Sequence, residues 1–102
     1  MHDYFKKCGK FHRENGPAII KYYEDGSIFR QAYHVDGEPH RVNDPAYIEY
    51  FSNKQVSYES YFFCGIRHRG GGPAIIFYNK EGSIIEKEYY VAGKKFLEKA
   101  QC

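Results

Sequence analysis

GKFHRENGPAIIKYYEDGSIFRQAYHVD, residues 9–36, is followed without a gap by GEPHRVNDPAYIEYFSNKQVSYESYFFC, residues 37–64, and GIRHRGGGPAIIFYNKEGSIIEKEYYVA, residues 65–92. Gly9, Gly37, Gly65 and Gly93 open successive units 28 residues apart. The first and third units agree at half their positions, and all three share G-x-x-H-R-x-x-x-P-A-x-I-x-Y. Self-similarity at a fixed period marks a repeat architecture, in which a unit buries its apolar face only by stacking on its neighbours. Residues 1–8 align with the end of a unit, Phe5 falling in register with Tyr33, Tyr61 and Tyr89, and residues 93–102 align with a beginning. The chain therefore reads as one repeat domain: a half-unit at 1–8, repeats at 9–36, 37–64 and 65–92, and a C-terminal cap at 93–102. Within that cap, FLEKAQC mixes good helix formers with two apolar residues and is expected to fold as a short cover over the last unit.

Inside a unit the apolar period is two. Ala18, Ile20 and Tyr22 alternate with Ile19, Lys21 and Tyr23, and the same alternation carries Ala46-Ile48-Tyr50 and Ala74-Ile76-Tyr78, which specifies a strand. Asp25-Gly26 and Glu81-Gly82 then read as tight turns, and a second strand is expected over Ile28–Val35 and Ile84–Val91. The segment x-G-x-x-H-R-x-x-x-P has turn chemistry and a proline that cannot donate to a ladder, so it is read as the connector between hairpins. The expected fold is all-β: an elongated antiparallel solenoid of β-hairpins advancing roughly 10 Å per unit, with an N-terminal half-unit strand near Tyr4–Lys7. The recurring Tyr22-Tyr50-Tyr78 and Tyr33-Tyr61-Tyr89 read as stacked aromatics that hold the sheet.

Composition narrows the function. A chain of 102 residues fills one small domain. Fifteen Lys and Arg against 13 Asp and Glu leave a charge of +2, without the clustered basic excess that a nucleic-acid backbone or an anionic membrane demands. The start, MHDYFKKCGKF, has no apolar run of signal-peptide length, and no stretch approaches the roughly 20 apolar residues of a membrane-spanning helix. A soluble cytoplasmic protein with reduced thiols is expected. Cys8, Cys64 and Cys102 have neither zinc-site nor disulfide spacing. No nucleophile elbow, carboxylate pair, metal motif or dinucleotide fingerprint is present, so neither an enzyme nor a cofactor is expected.

The register G-x-x-H-R-x-x-G-P-A-x-I-x-Y…G-S-I…Y-x-x-x-G resembles the variant MORN repeats, the longer kind found in toxin-neutralising bacterial proteins and in proteins of large DNA viruses of amoebae. The resemblance spans residues 4 to about 95. It implies a hairpin-repeat fold and a non-catalytic role in binding other proteins; for a viral source it implies the host cytoplasm or the virion.

Two sets of residues are candidates for function. The first is the ladder His12-Arg13, His40-Arg41 and His68-Arg69. It is read either as a row of imidazoles and guanidiniums gripping carboxylates or phosphates, or as structural pairs satisfying main-chain groups at each junction. Metal binding by the ladder is excluded by spacing, because residues roughly 10 Å apart along the axis cannot share an ion whose ligands lie within about 2.3 Å. The second is the strand face opposite the recurring Ala, Ile and Tyr, where Tyr23, Tyr47, Phe51 and Phe77 are read as anchors of a protein partner, either another copy in a homodimer or a different protein. The function expected is a scaffold for protein–protein interaction. A toxin-neutralising partner and a peripheral membrane-surface adaptor are the alternatives.

Overall fold

The two-residue alternation of each unit is strand in the computed structural model, which describes residues 2–96. In chain order the strands are β1 (His2–Tyr4), β2 (Lys6–Lys7), β3 (Lys10–Phe11), β4 (Ile19–Tyr22), β5 (Ile28–Ala32), β6 (His34–Val35) and β7 (Glu38–Pro39). They continue as β8 (Tyr47–Tyr50), β9 (Val56–Ser60), β10 (Phe62–Phe63), β11 (Ile66–Arg67), β12 (Ile75–Tyr78), β13 (Ile84–Val91) and β14 (Lys94–Phe96). There is no helix among the described residues. One open antiparallel sheet runs β1-β4-β5-β8-β9-β12-β13-β14, and three two-stranded ribbons, β2-β3, β6-β7 and β10-β11, lie outside it. The molecule is a slab of 41 × 35 × 16 Å.

Each long hairpin carries a bulge at the same place. Lys21 faces Arg30 but Tyr22 faces Ile28, Glu49 faces Tyr58 but Tyr50 faces Val56, and Phe77 faces Glu86 but Tyr78 faces Ile84. One residue of the second strand, Phe29, Ser57 or Ile85, is therefore left over, which bends and twists the hairpin.

The connector folds further than the sequence reading expected. Instead of one strand over Ile28–Val35, the chain breaks at Tyr33, and β6 turns out of the sheet to pair with β7. The same happens at β10-β11 and at β2-β3. In the last unit the strand stays continuous, and Tyr89, Tyr90 and Val91 pair with Phe96, Lys95 and Lys94. The turns of the three ribbons, Cys8-Gly9, Asp36-Gly37 and Cys64-Gly65, and the β13-β14 turn Ala92-Gly93 have φ of 51° and 79°, 51° and 85°, 51° and 80°, and 52° and 84°. Positive φ at both central residues is the type I′ pattern, whose twist matches that of the strands it joins. Each unit is thus a long hairpin followed by a short one.

The core is thin: its buried apolar residues among those described are Ala18, Ala32, Ala46, Ala74, Ile75 and Ile76. Ala18, Ala46 and Ala74 are fully buried. Each donates its N–H to the second strand of its own hairpin (Ala32, Ser60 and Glu88 carbonyls) and accepts from Phe5, Tyr33 or Tyr61 of the preceding unit, at 2.7–2.9 Å.

The recurring Tyr22, Tyr50 and Tyr78 each make a hydrogen bond to the neighbouring strand. Tyr22 donates to Asp3, Tyr50 to Gln31 and Tyr78 to Glu59, at 2.7, 2.9 and 2.6 Å, each reaching back one strand. Of the cap expected at 93–102, Gly93 lies in a turn and Lys94–Phe96 forms a strand; the short cover expected from Phe96 onward lies, beyond that residue, outside the described residues.

Candidate functional site

The His-Arg ladder sits where successive ribbons meet. The I′ turn of each ribbon leaves main-chain N–H groups pointing back along the repeat. His12 Nδ1 accepts the N–H of Asp36, His40 Nδ1 that of Cys64, and His68 Nδ1 that of Ala92, at 3.0, 2.9 and 2.9 Å. The adjacent glycine N–H donates to the preceding ribbon: Gly37 to the Phe11 carbonyl, Gly65 to Pro39 and Gly93 to Arg67. An Nδ1 that accepts leaves the ring proton on Nε2, so the ladder is written for neutral imidazole.

Each arginine lies flat on an aromatic ring of the preceding unit. The guanidinium carbons of Arg13, Arg41 and Arg69 lie 3.9, 3.9 and 4.1 Å from the ring centroids of Phe5, Tyr33 and Tyr61. Their Nη1 atoms donate to the carbonyls of Pro17, Pro45 and Pro73 at 3.3, 3.2 and 3.0 Å. Stacking and hydrogen bonding together use a planar fork that lysine does not possess. A Cβ at Gly16 or Gly72 would lie 3.2 or 3.0 Å from the guanidinium carbon, yet the middle unit has Asp44 at the equivalent position and Arg41 makes the same contacts.

The opposite side of the slab carries the aromatic set. The ribbons cover one end of this face: Tyr47 packs edge-on against Phe62 with centroids 5.1 Å apart, touches the buried His34, and carries the Arg30 guanidinium at 4.9 Å. Burial pushes the Tyr47 hydroxyl above its ordinary pKa and the His34 imidazole below its own. Tyr23 packs against Phe29 and donates to the Tyr50 carbonyl at 2.6 Å. Both rings are thus engaged within the chain. Phe51 and Phe77 are half-buried as well. With Tyr58, which touches Phe77 at 5.1 Å between centroids, and Ile85, they line an open groove of about 440 Å³. Arg30 and Glu49, 3.6 Å apart, stand at its rim.

Of the four expected anchors, Phe51 and Phe77 line this groove, Tyr47 flanks it by sharing the Arg30 guanidinium, and Tyr23 is not among its lining residues. Tyr58 and Ile85 were missed by sequence reasoning. The left-over position of the bulge puts Ile85, 64% exposed, on the surface where simple alternation does not expect it. Among the described residues, no three His, Cys, Asp or Glu side chains converge on a metal position, and Cys8 and Cys64 are free and exposed.

Fold and surface define an open antiparallel sheet of repeated hairpins with an apolar groove on one face. Comparison with family models, with curated proteins and with solved structures finds no match to this chain.

Proposed function

We propose that this chain is a non-catalytic scaffold that works by protein–protein association, and that the occupant of the Phe51–Tyr58–Phe77–Ile85 groove is a second copy of the chain. The groove itself carries the reading: it is open, and among the described residues no helix or second sheet is layered on the strands that form it, and large aromatic anchors in an open depression are the residues that dominate protein interfaces. Its rim holds both signs of charge, Arg30 and Glu49. A two-fold contact needs that self-complementarity, because the same patch faces itself.

The 28-residue units are read as variant MORN-type repeats forming a solenoid, a reading supported by the recurrence of the same histidine and arginine bonds one unit apart. The exposed free thiols of Cys8 and Cys64 suit a reducing cytoplasm. A toxin-neutralising role would employ the same groove with an enzyme in place of the second copy.

Size-exclusion chromatography with light scattering tests the proposal. The unaltered chain is expected as a dimer and Phe51→Ser/Phe77→Ser as a monomer with an unchanged circular dichroism spectrum. A monomer in both cases sinks the reading.

A further inference from the structure

The opposite side of the slab carries a second and different surface. Between the H-R loop of the second unit and that of the third lies a cavity of about 380 Å³ lined by Arg41, Val42, Asn43, Phe63, His68 and Arg69 among others. A sister cavity of about 480 Å³ lies one unit earlier, lined at the equivalent positions by Arg13, Glu14, Asn15, Val35, His40 and Arg41. The chain builds the same site twice and fills it differently. In the first cavity Glu14 supplies an acid. In the second Val42 takes its place, Phe63 replaces Val35, and no acidic residue lines the cavity.

The second cavity therefore has a cationic side and an apolar side. Its guanidiniums are fixed in advance: Arg41 on Tyr33 and the Pro45 carbonyl, Arg69 on Tyr61 and the Pro73 carbonyl. Preorganised donors spare a ligand the entropy of ordering them. Arg41 has a loose carboxylate neighbour in Asp44 at 3.8 Å, whereas Arg69 makes no ion pair among the described residues and has Gly72 at the position equivalent to Asp44. His68 accepts through Nδ1 and so retains a donor at Nε2. Phe63 and Val42 are 49% and 59% exposed, the Phe63 ring resting against that of His40 at 4.7 Å between centroids, so both present apolar surface to the cavity.

We propose that this cavity is a binding site for an acidic peptide segment in which an Asp or Glu neighbours a bulky apolar residue, the carboxylate meeting Arg69 and the apolar side chain lying on Val42 and Phe63. The occupant is assigned by charge complementarity and by the contrast between the two cavities. A carboxylate matches the guanidinium fork, and the sister cavity has a carboxylate in its lining, that of Glu14, 3.5 Å from His12 Nε2.

The test is a titration of the full chain, followed by amide chemical shifts, with the blocked peptide Ac-Phe-Glu-Phe-amide, its Gln analogue and inorganic phosphate. The Glu peptide is expected to shift Asn43, His68, Arg69 and Gly70. The Gln analogue is expected to bind about tenfold more weakly, the size of one charge-assisted hydrogen bond. Val42→Glu, at an exposed position, copies the first cavity into the second and is expected to abolish the shifts while leaving the melting temperature unchanged. Arg69→Gln is expected to do the same to the shifts. Equal binding of the two peptides, equal shifts with phosphate alone, or shifts that survive Val42→Glu would each overturn the proposal.

Discussion

Replacing Arg41 by alanine removes the central bolt between two units. Its guanidinium stacks on Tyr33 at 3.9 Å and donates to the Pro45 carbonyl at 3.2 Å, with the side chain 29% exposed. A partly desolvated cation–π contact contributes about 1 kcal/mol, and a charge-assisted hydrogen bond at a half-buried site about another 1 kcal/mol. A loss of about 2 kcal/mol in a domain of this size lowers the melting temperature by roughly 10 °C. The Asp44 ion pair adds little, because it is loose and solvent-facing. Arg41→Lys separates geometry from charge: it keeps the cation but loses the planar fork, and is expected to lose most of the same stability. Arg13→Ala, whose stack is on Phe5 in the half-unit, is expected to fray the N-terminal strands more than it lowers global stability. The assay is thermal and urea unfolding of the three variants by circular dichroism, beside groove association by light scattering. Arg41→Lys melting with the unaltered chain, or Arg41→Ala losing association without losing stability, would refute a structural role for the ladder.

Three further outcomes follow from the same geometry. Ala46→Leu, at a fully buried residue bonded on both sides, is expected to cost at least about 2 kcal/mol by overpacking, read as a fall in the urea midpoint, whereas Val42→Leu on the surface should leave it unchanged. On the acid side, burial holds the His34 imidazole below its ordinary pKa, so the unfolded chain takes up the proton first; stability is full above about pH 6.5 and falls as pH drops below it, and His34→Phe should flatten that limb. On the alkaline side, burial and the hydrogen bond to Glu59 push the Tyr78 hydroxyl up to about 12. The folded chain then keeps a proton that the unfolded chain releases, so stability is full below about pH 10 and is lost as pH rises through 12, a loss that Tyr78→Phe should reduce in a pH series of urea midpoints.

The long hairpins were legible because four-residue strands show their period, and the 28-residue register fixed where each begins. The short ribbons were not, because two-residue strands have no period to read. Their turns include Cys8-Gly9 and Cys64-Gly65, in which Cys8 and Cys64 take positive φ without being residues that favour it. The arginine platforms were hidden for the same reason. Arg41 follows Tyr33 by eight residues, and only the fold-back of β6 onto β7, closed by the His40 N–H on the Tyr33 carbonyl, brings them together. Of the groove, Phe51 and Phe77 were readable from strand alternation. Tyr58 and Ile85 belong to second strands whose facing depends on the bulge.

The claim that two copies meet at the aromatic groove is tested most directly by isotope-filtered nuclear Overhauser spectroscopy on a mixture of methyl-labelled and unlabelled chain. The account predicts intermolecular cross-peaks from the Ile85 methyl groups of one copy to the Phe51 and Phe77 rings of the other. An absence of intermolecular cross-peaks at concentrations where the chain is dimeric, or cross-peaks confined to the Val42–Phe63 side of the slab, would contradict it.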